Sequence, residues 1–258
     1  MKVIFVGAGP GNPDLLTVQA QRVLSHCQIC IYAGSLVSPE VVAIVPETAD
    51  LYDSAGMTLE EIEEVFKQAQ QRDIDLIRLH TGDPSIYGAI REQMNILDRH
   101  DIDYEIVPGI SSFQAAAASL KTELTAPEIA QTIILSRTSG RTPMPAAQEL
   151  EHLARTQSTL CLFLSVHKVV DVTAELANWY GSDCPAAVVF HASWPDEVVI
   201  SATLADIAAK VDAAQIKKTA MIVVGPALAR DIPVSKLYHR HFSHGYRQAE
   251  DSSVAGQK

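Results

Sequence analysis

The sequence of 258 residues is short of positive charge, short of cysteine and without any long apolar run. Its 20 Lys and Arg face 31 Asp and Glu, a formal net charge of -11. Binding a phosphate backbone needs clustered cations, so this balance argues against a nucleic-acid partner. It leaves open an anionic small molecule, which meets only the charge of one cleft. No apolar stretch approaches the roughly 18–20 residues of a membrane-crossing helix, and no membrane partner is expected. The first residues enter a strand pattern at once, without a charged leader and cleavable apolar segment, so a cytoplasmic location is expected. Of the four cysteines only Cys27 and Cys30 are close together. Both lie in "CQICIY", the lead-in to a strand, where residues three apart face opposite sides. Four buried, reduced thiols and no metal site are the expectation.

A further absence concerns the stretch "VIFVGAGPGNPDLLT". It runs from an apolar strand into a glycine-rich turn and then a helix, where a dinucleotide-binding protein carries its phosphate loop. That fingerprint wants Gly-x-Gly-x-x-Gly, and the place of the third glycine is taken by Asn12, after Gly7, Gly9 and Gly11. Pro10 and Pro13 each remove a backbone N–H that a phosphate could use. The second strand ends in Tyr32 and Ala33, with no carboxylate to hold a ribose. A nicotinamide-dependent oxidoreductase is therefore disfavoured, and the loop needs another use.

What is present is an alternation of strand and helix patterns. Strands are expected over 3–6, 28–32, 75–79 and 104–107, with a helix opened by the capping-box pair Thr58 and Glu61 and continued by Ile62, Val65, Phe66 and Ala69. This is the pattern of a parallel sheet flanked by helices. "ISSFQAAAASL" (110–120) reads as a helix of small residues, and the polar, proline-bearing 121–131 as a linker. A second α/β half follows, with strands over 132–137, 159–165, 186–192, 197–201 and 220–225 and a helix opened by Thr203 and Asp206. The expected organisation is two α/β domains, 1–120 and 132–235, with a polar tail over 236–258.

Ligands of open α/β sheets sit beyond the carboxyl ends of strands. Those ends carry "GAGPGNP" (7–13), "HTGDPSIYG" (80–88), "PGISS" (108–112), "FLSVHK" (163–168) and "HASWPDE" (191–197). Their Gly, Pro and Ser let a ligand approach the backbone. Asp83 is the one carboxylate placed among the first three; read alone, "GDP" is a tight turn with Asp83 bonding its own backbone.

As a set, "VGAGPGNPDLLT", "TGDPSIYG" and "PGISS", in this order and ahead of a second α/β half, resemble the tetrapyrrole methylase family. The resemblance runs from residue 1 to about 228. It implies two α/β domains with a cofactor cleft between them, the class III S-adenosylmethionine methyltransferase fold. It also implies that the glycine-rich turn borders a tetrapyrrole cleft and does not cradle a pyrophosphate. "YAGSLV", "YDSAGMTLEEI", "RLHTGDPSIYGAIREQM", "GRTPMP" and "ASWPDE" are similar to the branch that methylates C11 of precorrin-4 in cobalamin biosynthesis. The uroporphyrinogen-III branch differs at "TGDPSIYG" and at 163–165. The tail "LYHRHFSHGYR" is similar to the cobalt-dependent version.

Carried over by position, the resemblance implies that Pro10, Gly82, Asp83, Pro84, Tyr87, Ser111, Ser112, Leu164, Ala192 and Ala220 line the site of S-adenosylmethionine. Ser111 and Ser112 replace a Thr-Ala pair, and Leu164 stands where a methionine packs in the uroporphyrinogen enzymes. A substrate rich in carboxylates asks for local cations; Arg78, His80, Arg91, Arg137, Arg141 and Lys168 lie in or near these loops, His80 foremost, with His167 as a helix-start residue. Methyl transfer from a sulfonium to an enamine-like carbon needs placement more than acid or base, so no catalytic dyad is expected; Asp83 and His80 are the candidates for any direct role. A homodimer is implied by the resemblance alone. The rivals are another methyl transfer on the same fold, with precorrin-2, precorrin-3, uroporphyrinogen, ribosomal RNA or diphthamide as substrate, and a non-catalytic tetrapyrrole carrier.

Overall fold

A computed structural model describes residues 1–140, 142–233, 235, 237 and 239–248. The described residues form two compact units: Met1–Lys121 with Val188–Ile200 and Ala214–Met221, and those of 122–187 with Ser201–Ala213 and the described residues from Ile222 on.

The first unit is built on strands β1 (Lys2–Gly7), β2 (Ile29–Tyr32), β3 (Asp50–Asp53), β4 (Leu76–His80) and β5 (Asp103–Val107), interleaved with helices α1 (Val18–Leu24), α2 (Pro39–Val42), α3 (Leu59–Arg72), α4 (Arg91–Arg99) and α5 (Ser112–Leu120). The strands form one parallel sheet in the order β3-β2-β4-β1-β5. Strand alternation sorts its side chains into two layers. Val3, Phe5, Ile29, Ile31 and Leu76 pack with Phe66, Leu97 and Ile102 on one face. Ile4, Val6, Cys30, Ile77 and Leu79 pack with Leu24, Val41 and Val45 on the other. Both faces are covered at the three inner strands, so β1, β2 and β4 read as near-continuous apolar runs.

Helix α3 starts where its sequence says. Thr58 N donates to Glu61 Oε2 at 2.7 Å, Glu61 N donates to Thr58 Oγ1 at 3.3 Å, and the helix stops at Asp73 in the left-handed region with φ 52°. Helix α5 covers most of the expected small-residue helix. Strand β3 was not expected: it has four residues, aspartates at both ends and an exposed edge position, so neither alternation nor an apolar run marks it.

The four cysteines are buried and reduced. Cys27 and Cys30 do not face opposite sides, however. Cys27 lies before β2, outside the pleat, and turns into the same apolar layer as Cys30.

A second five-stranded sheet has the order β6-β7-β10-β8-β9, from β6 (Ile133–Arg137), β7 (Thr159–Phe163), β8 (Pro185–Phe190), β9 (Val198–Thr203) and β10 (Ala220–Val224). β6 pairs parallel to β7, and β10 antiparallel to it. Helices α6 (Leu150–Ala154), α7 (Val169–Tyr180) and α8 (Ile207–Ala213) belong to this half of the chain. Thr203 and Asp206 do not cap a helix reciprocally: Thr203 ends β9, and its N and Oγ1 both donate to Asp206 Oδ1, at 2.8 and 3.0 Å. Within the segment read as a linker, Ala126 and Ala130 pack against Ala227. Among the described residues no helix is long and apolar enough to cross a membrane.

Candidate functional site

β1 lies between β4 and β5, in register Gly7 with His80 and Val6 with Val107. The carboxyl ends of three strands therefore emerge side by side, and a glycine on or after each lets them close up. A Cβ at Gly7 would stand 2.6 Å from Gly109 Cα and from Gly82 O, and one at Gly109 would stand 2.2 Å from Gly82 O. Gly9 and Gly82, at φ +68° and +60°, exchange hydrogen bonds: Gly82 N donates to Gly9 O at 2.8 Å and Gly9 N to Gly82 O at 3.2 Å. Ala8 N donates to His80 O at 2.7 Å. Two amides that a phosphate loop would offer, those of Ala8 and Gly9, are thus spent inside the protein, which is a second argument against a pyrophosphate site.

The outer part of the same loop is held by two other segments. Ser38, the N-cap of α2, accepts from Val41 N and donates its hydroxyl to Gly11 O at 2.6 Å. From the 191–197 loop, Trp194 Nε1 donates to Pro10 O at 2.7 Å, and Ser193 Oγ accepts from Asn12 N at 3.1 Å. Composition did not single out Ser38, Ser193 or Trp194. The "HASWPDE" loop was legible as a strand end and in the resemblance, but nothing local connects it to residues so distant in sequence.

Asp83 does what a turn aspartate does and one thing more. Its Oδ1 accepts from Ser85 N at 2.8 Å and from the Ser85 hydroxyl, and its Oδ2 reaches Gly109 N at 2.9 Å. The long-range bond ties the 81–88 loop to the end of β5. Partial burial pushes its carboxyl pKa up, but the donors at Ser85 and Gly109 outweigh that and hold it below the usual range. With every close donor on the ionised form, Asp83 is a fixed acceptor and not a proton shuttle.

Arg78 and His80 do not meet the expectation that they offer charge to a substrate. The parity of β4 turns both toward the layer of Phe5 and Ile31, and they are 5% and 4% exposed. Arg78 donates to Gln93 Oε1 at 2.9 Å and to the carbonyls of Ile31 and Leu79, both at 3.3 Å. It is an internal tie between β2, β4 and α4. The His80 ring lies 5.9 Å from that of Phe5, and its Nε2 has no hydrogen-bond partner. Burial, with Arg78 adding to it, pushes the pKa of His80 down to about 3, so the ring is neutral at neutral pH. A neutral, sealed imidazole is neither cation nor general base.

Several expected cofactor residues converge in the first unit. The position of a Cβ on Gly82 would be 3.6 Å from Ser111 Cα and 3.8 Å from Ser112 N. Pro84 and Ser111 are buried, whereas Tyr87 is 47% exposed with φ 55°. Ala192 is buried, and its neighbour His191 donates its N–H to Thr219 O, next to Ala220, at 3.2 Å. Such a set, small side chains and turn backbone around Gly82, fits a ligand held largely through main-chain groups. Leu164 belongs to the second unit, 62% exposed at φ 53°. There Arg137 donates to the carbonyls of Thr138, Thr142 and Pro143, and Lys168 Nζ donates to Ser139 O at 2.6 Å. The two cations clasp one loop. His167 is exposed, as is Arg91, the first residue of α4, while Arg141 lies outside the described residues.

Comparison with known proteins gives this geometry a context. Residues 2–208 match the family model of Tetrapyrrole (Corrin/Porphyrin) Methylases. The chain is similar to the cobalt-precorrin-4 C(11)-methyltransferase of Methanocaldococcus jannaschii, 49% identical over 96% of both chains. It is also similar to the precorrin-4 C(11)-methyltransferase of a Sinorhizobium species, 46% identical over 96% of this chain and 98% of that one. Among solved structures it resembles a cobalt-precorrin-4 methyltransferase described as a cobalamin biosynthetic enzyme, with TM-score 0.86, 42% identity and coverage of 88% and 96%. It resembles less closely the uroporphyrin-III C-methyltransferase of Thermus thermophilus in complex with S-adenosylhomocysteine, with TM-score 0.73, 27% identity and coverage of 88% and 93%.

Proposed function

We propose a reaction on one premise: the chain belongs to the tetrapyrrole methylase family. The reaction is transfer of a methyl group from S-adenosylmethionine to C11 of precorrin-4, or of its cobalt form, in construction of the corrin ring. The observation that carries this reading is the 49% identity, along 96% of each chain, with an enzyme named for that step. S-adenosylmethionine supplies a methyl group already activated on a sulfonium. What remains for the protein is to hold donor and acceptor in line, and orientation alone is worth up to roughly 7–11 kcal/mol.

The chain's own residues suit that task. Gly82, Pro84, Ser111 and Ser112 offer backbone and small side chains to the cofactor, and Asp83 holds their loops together through Gly109. Neither Asp83 nor His80 is set up to move a proton, in keeping with a reaction run by placement. For the substrate's carboxylates the candidates are Arg91, Arg137, Arg141 and Lys168; the guanidinium of Arg137 has donors to spare beyond its loop carbonyls. The same reading has the protein acting in the cytoplasm as a homodimer.

Single-turnover transfer from labelled S-adenosylmethionine tests the proposal, with cobalt-precorrin-4 and metal-free precorrin-4 offered separately. Label at C11 in either form supports it, and the preferred form tells which route the enzyme serves. Label in neither, from a protein that still binds the cofactor, overturns the assignment of substrate.

A further inference from the structure

We infer that Trp194 is a positioning residue: by clamping Pro10 and Gly11 it sets the shape in which the glycine-rich loop receives the tetrapyrrole. The inference rests on the functional reading above and adds to it a role for the 191–197 loop. Three observations converge on it. The indole N–H donates to Pro10 O at 2.7 Å, and Pro10 is buried. The ring occupies the space over Gly11 so closely that a Cβ there would stand 2.0 Å from Trp194 Nε1. Gly11, whose φ of +151° already favours glycine, thus leaves no room for a side chain beneath Trp194, even though the two are far apart in sequence. Finally, the adjacent Ser193 Oγ takes the Asn12 N–H, so two consecutive residues of one loop hold three consecutive residues of the other.

The clamp is itself braced. The Trp194 ring stacks on His191 with centroids 4.6 Å apart, and His191 on Phe190 at 3.7 Å. His191 Nδ1 lies 2.9 Å from both carboxylate oxygens of Asp196. Glu197 Oε2 accepts from Ser193 N at 2.6 Å and from the Ser119 hydroxyl of α5 at 2.7 Å. Each polar residue of "HASWPDE" is thereby used to fix one indole. An anchor of that rigidity on a loop already tied at Ala8, Gly9 and the Gly11 carbonyl makes the loop a preformed wall. A macrocycle docking on it then does not have to order the wall as it binds.

Trp194→Phe keeps an aromatic ring but deletes the N–H together with part of the surface over Gly11, while Trp194→Ala removes the ring altogether. One such hydrogen bond is worth roughly a 2- to 12-fold change in an equilibrium constant. We expect Trp194→Phe to raise the tetrapyrrole KM by about that factor with kcat nearly held, and Trp194→Ala to raise it further. Both should speed amide hydrogen exchange in the peptide spanning 7–13 without changing exchange in α3. Gly11→Ala, made alone and together with Trp194→Ala, completes a double-mutant cycle. Any backbone strain at position 11 is common to both backgrounds, so only the clash with the indole appears as coupling. Strong coupling supports the clamp; additive effects, or unchanged loop exchange in folded Trp194→Phe, overturn it. Unchanged KM with faster exchange overturns its functional half. If the wild-type protein methylates no tetrapyrrole, the reading of the substrate fails on its own, and the cycle and the exchange data still decide whether the clamp exists.

Discussion

The glycine-rich loop of the first unit and the 138–143 loop of the second both follow a strand, and they differ in what holds their base. The base of the first is locked by backbone against backbone, at separations where Gly7 and Gly109 leave no room for a Cβ, and side chains hold only its outer part. The second is held by two long cations, Arg137 and Lys168, reaching its carbonyls, while a Cβ on Gly140 would meet nothing within 4 Å. A glycine in the first loop is a steric requirement; Gly140 is not. Rigid backbone suits a surface that must present fixed groups. Loops held by side chains can give up a bond to a ligand and be re-formed afterwards.

The sharpest break in this comparison is Gly109→Ala. Its methyl would meet backbone and not a yielding side chain, so a loss of about 3 kcal/mol or more is expected, read as a fall in denaturant midpoint. Asp83→Ala removes the acceptor of Gly109 N and of Ser85. Hydrogen bonds to a charged group are worth about 1.5–3 kcal/mol, so cofactor affinity by calorimetry should fall on the order of 10- to 100-fold while the fold persists. Unchanged affinity in the folded variant would remove Asp83 from the site.

His80 adds a test by pH. The folded protein keeps this ring neutral down to about 3, whereas the unfolded chain protonates it near 6.5. Between those values the unfolded state binds the extra proton, so this contribution to stability is whole above about 6.5 and shrinks as pH falls. The loss reaches about 2 kcal/mol at pH 5. Urea unfolding at pH 7 and pH 5 should show that drop in the wild type and a smaller one in His80→Phe; equal drops would mean that the ring is not sealed.

The smallest effects belong to the second loop. Arg137→Ala frees carbonyls that water can reach, and we expect tetrapyrrole binding to weaken roughly 3- to 10-fold with cofactor affinity retained. Gly140→Ala should alter stability by less than about 0.5 kcal/mol. A large loss there would erase the distinction between the two loops.

Much of the first unit was legible because its signals are local. The capping pair Thr58 and Glu61 marks α3, and the apolar runs of β1 and β4 mark buried parallel strands. β3 was not legible, since an exposed edge of four residues carries no pattern. The loops that carry Gly82, Asp83, Ser111 and Ser112 were legible as strand ends from their Gly, Pro and Ser, whereas the cofactor roles of these residues were implied by the family resemblance alone. The role of His80 was misread because its position after an apolar run looks the same whether the ring points to solvent or into a layer. Only the parity of β4 against the packed helices decides that.

The sequence by itself determined the alternation of strands and helices, the absence of a dinucleotide fingerprint and the motifs that mark the family, because each is written in neighbouring residues. Tertiary structure alone decided which polar groups are spent and which are offered. Gly11 beneath Trp194, Asp83 on Gly109 and His80 sealed beside Phe5 each join residues distant along the chain. The reason is physical: steric exclusion and desolvation depend on what the folded chain brings within a few ångströms, and that distance is not encoded in any one segment.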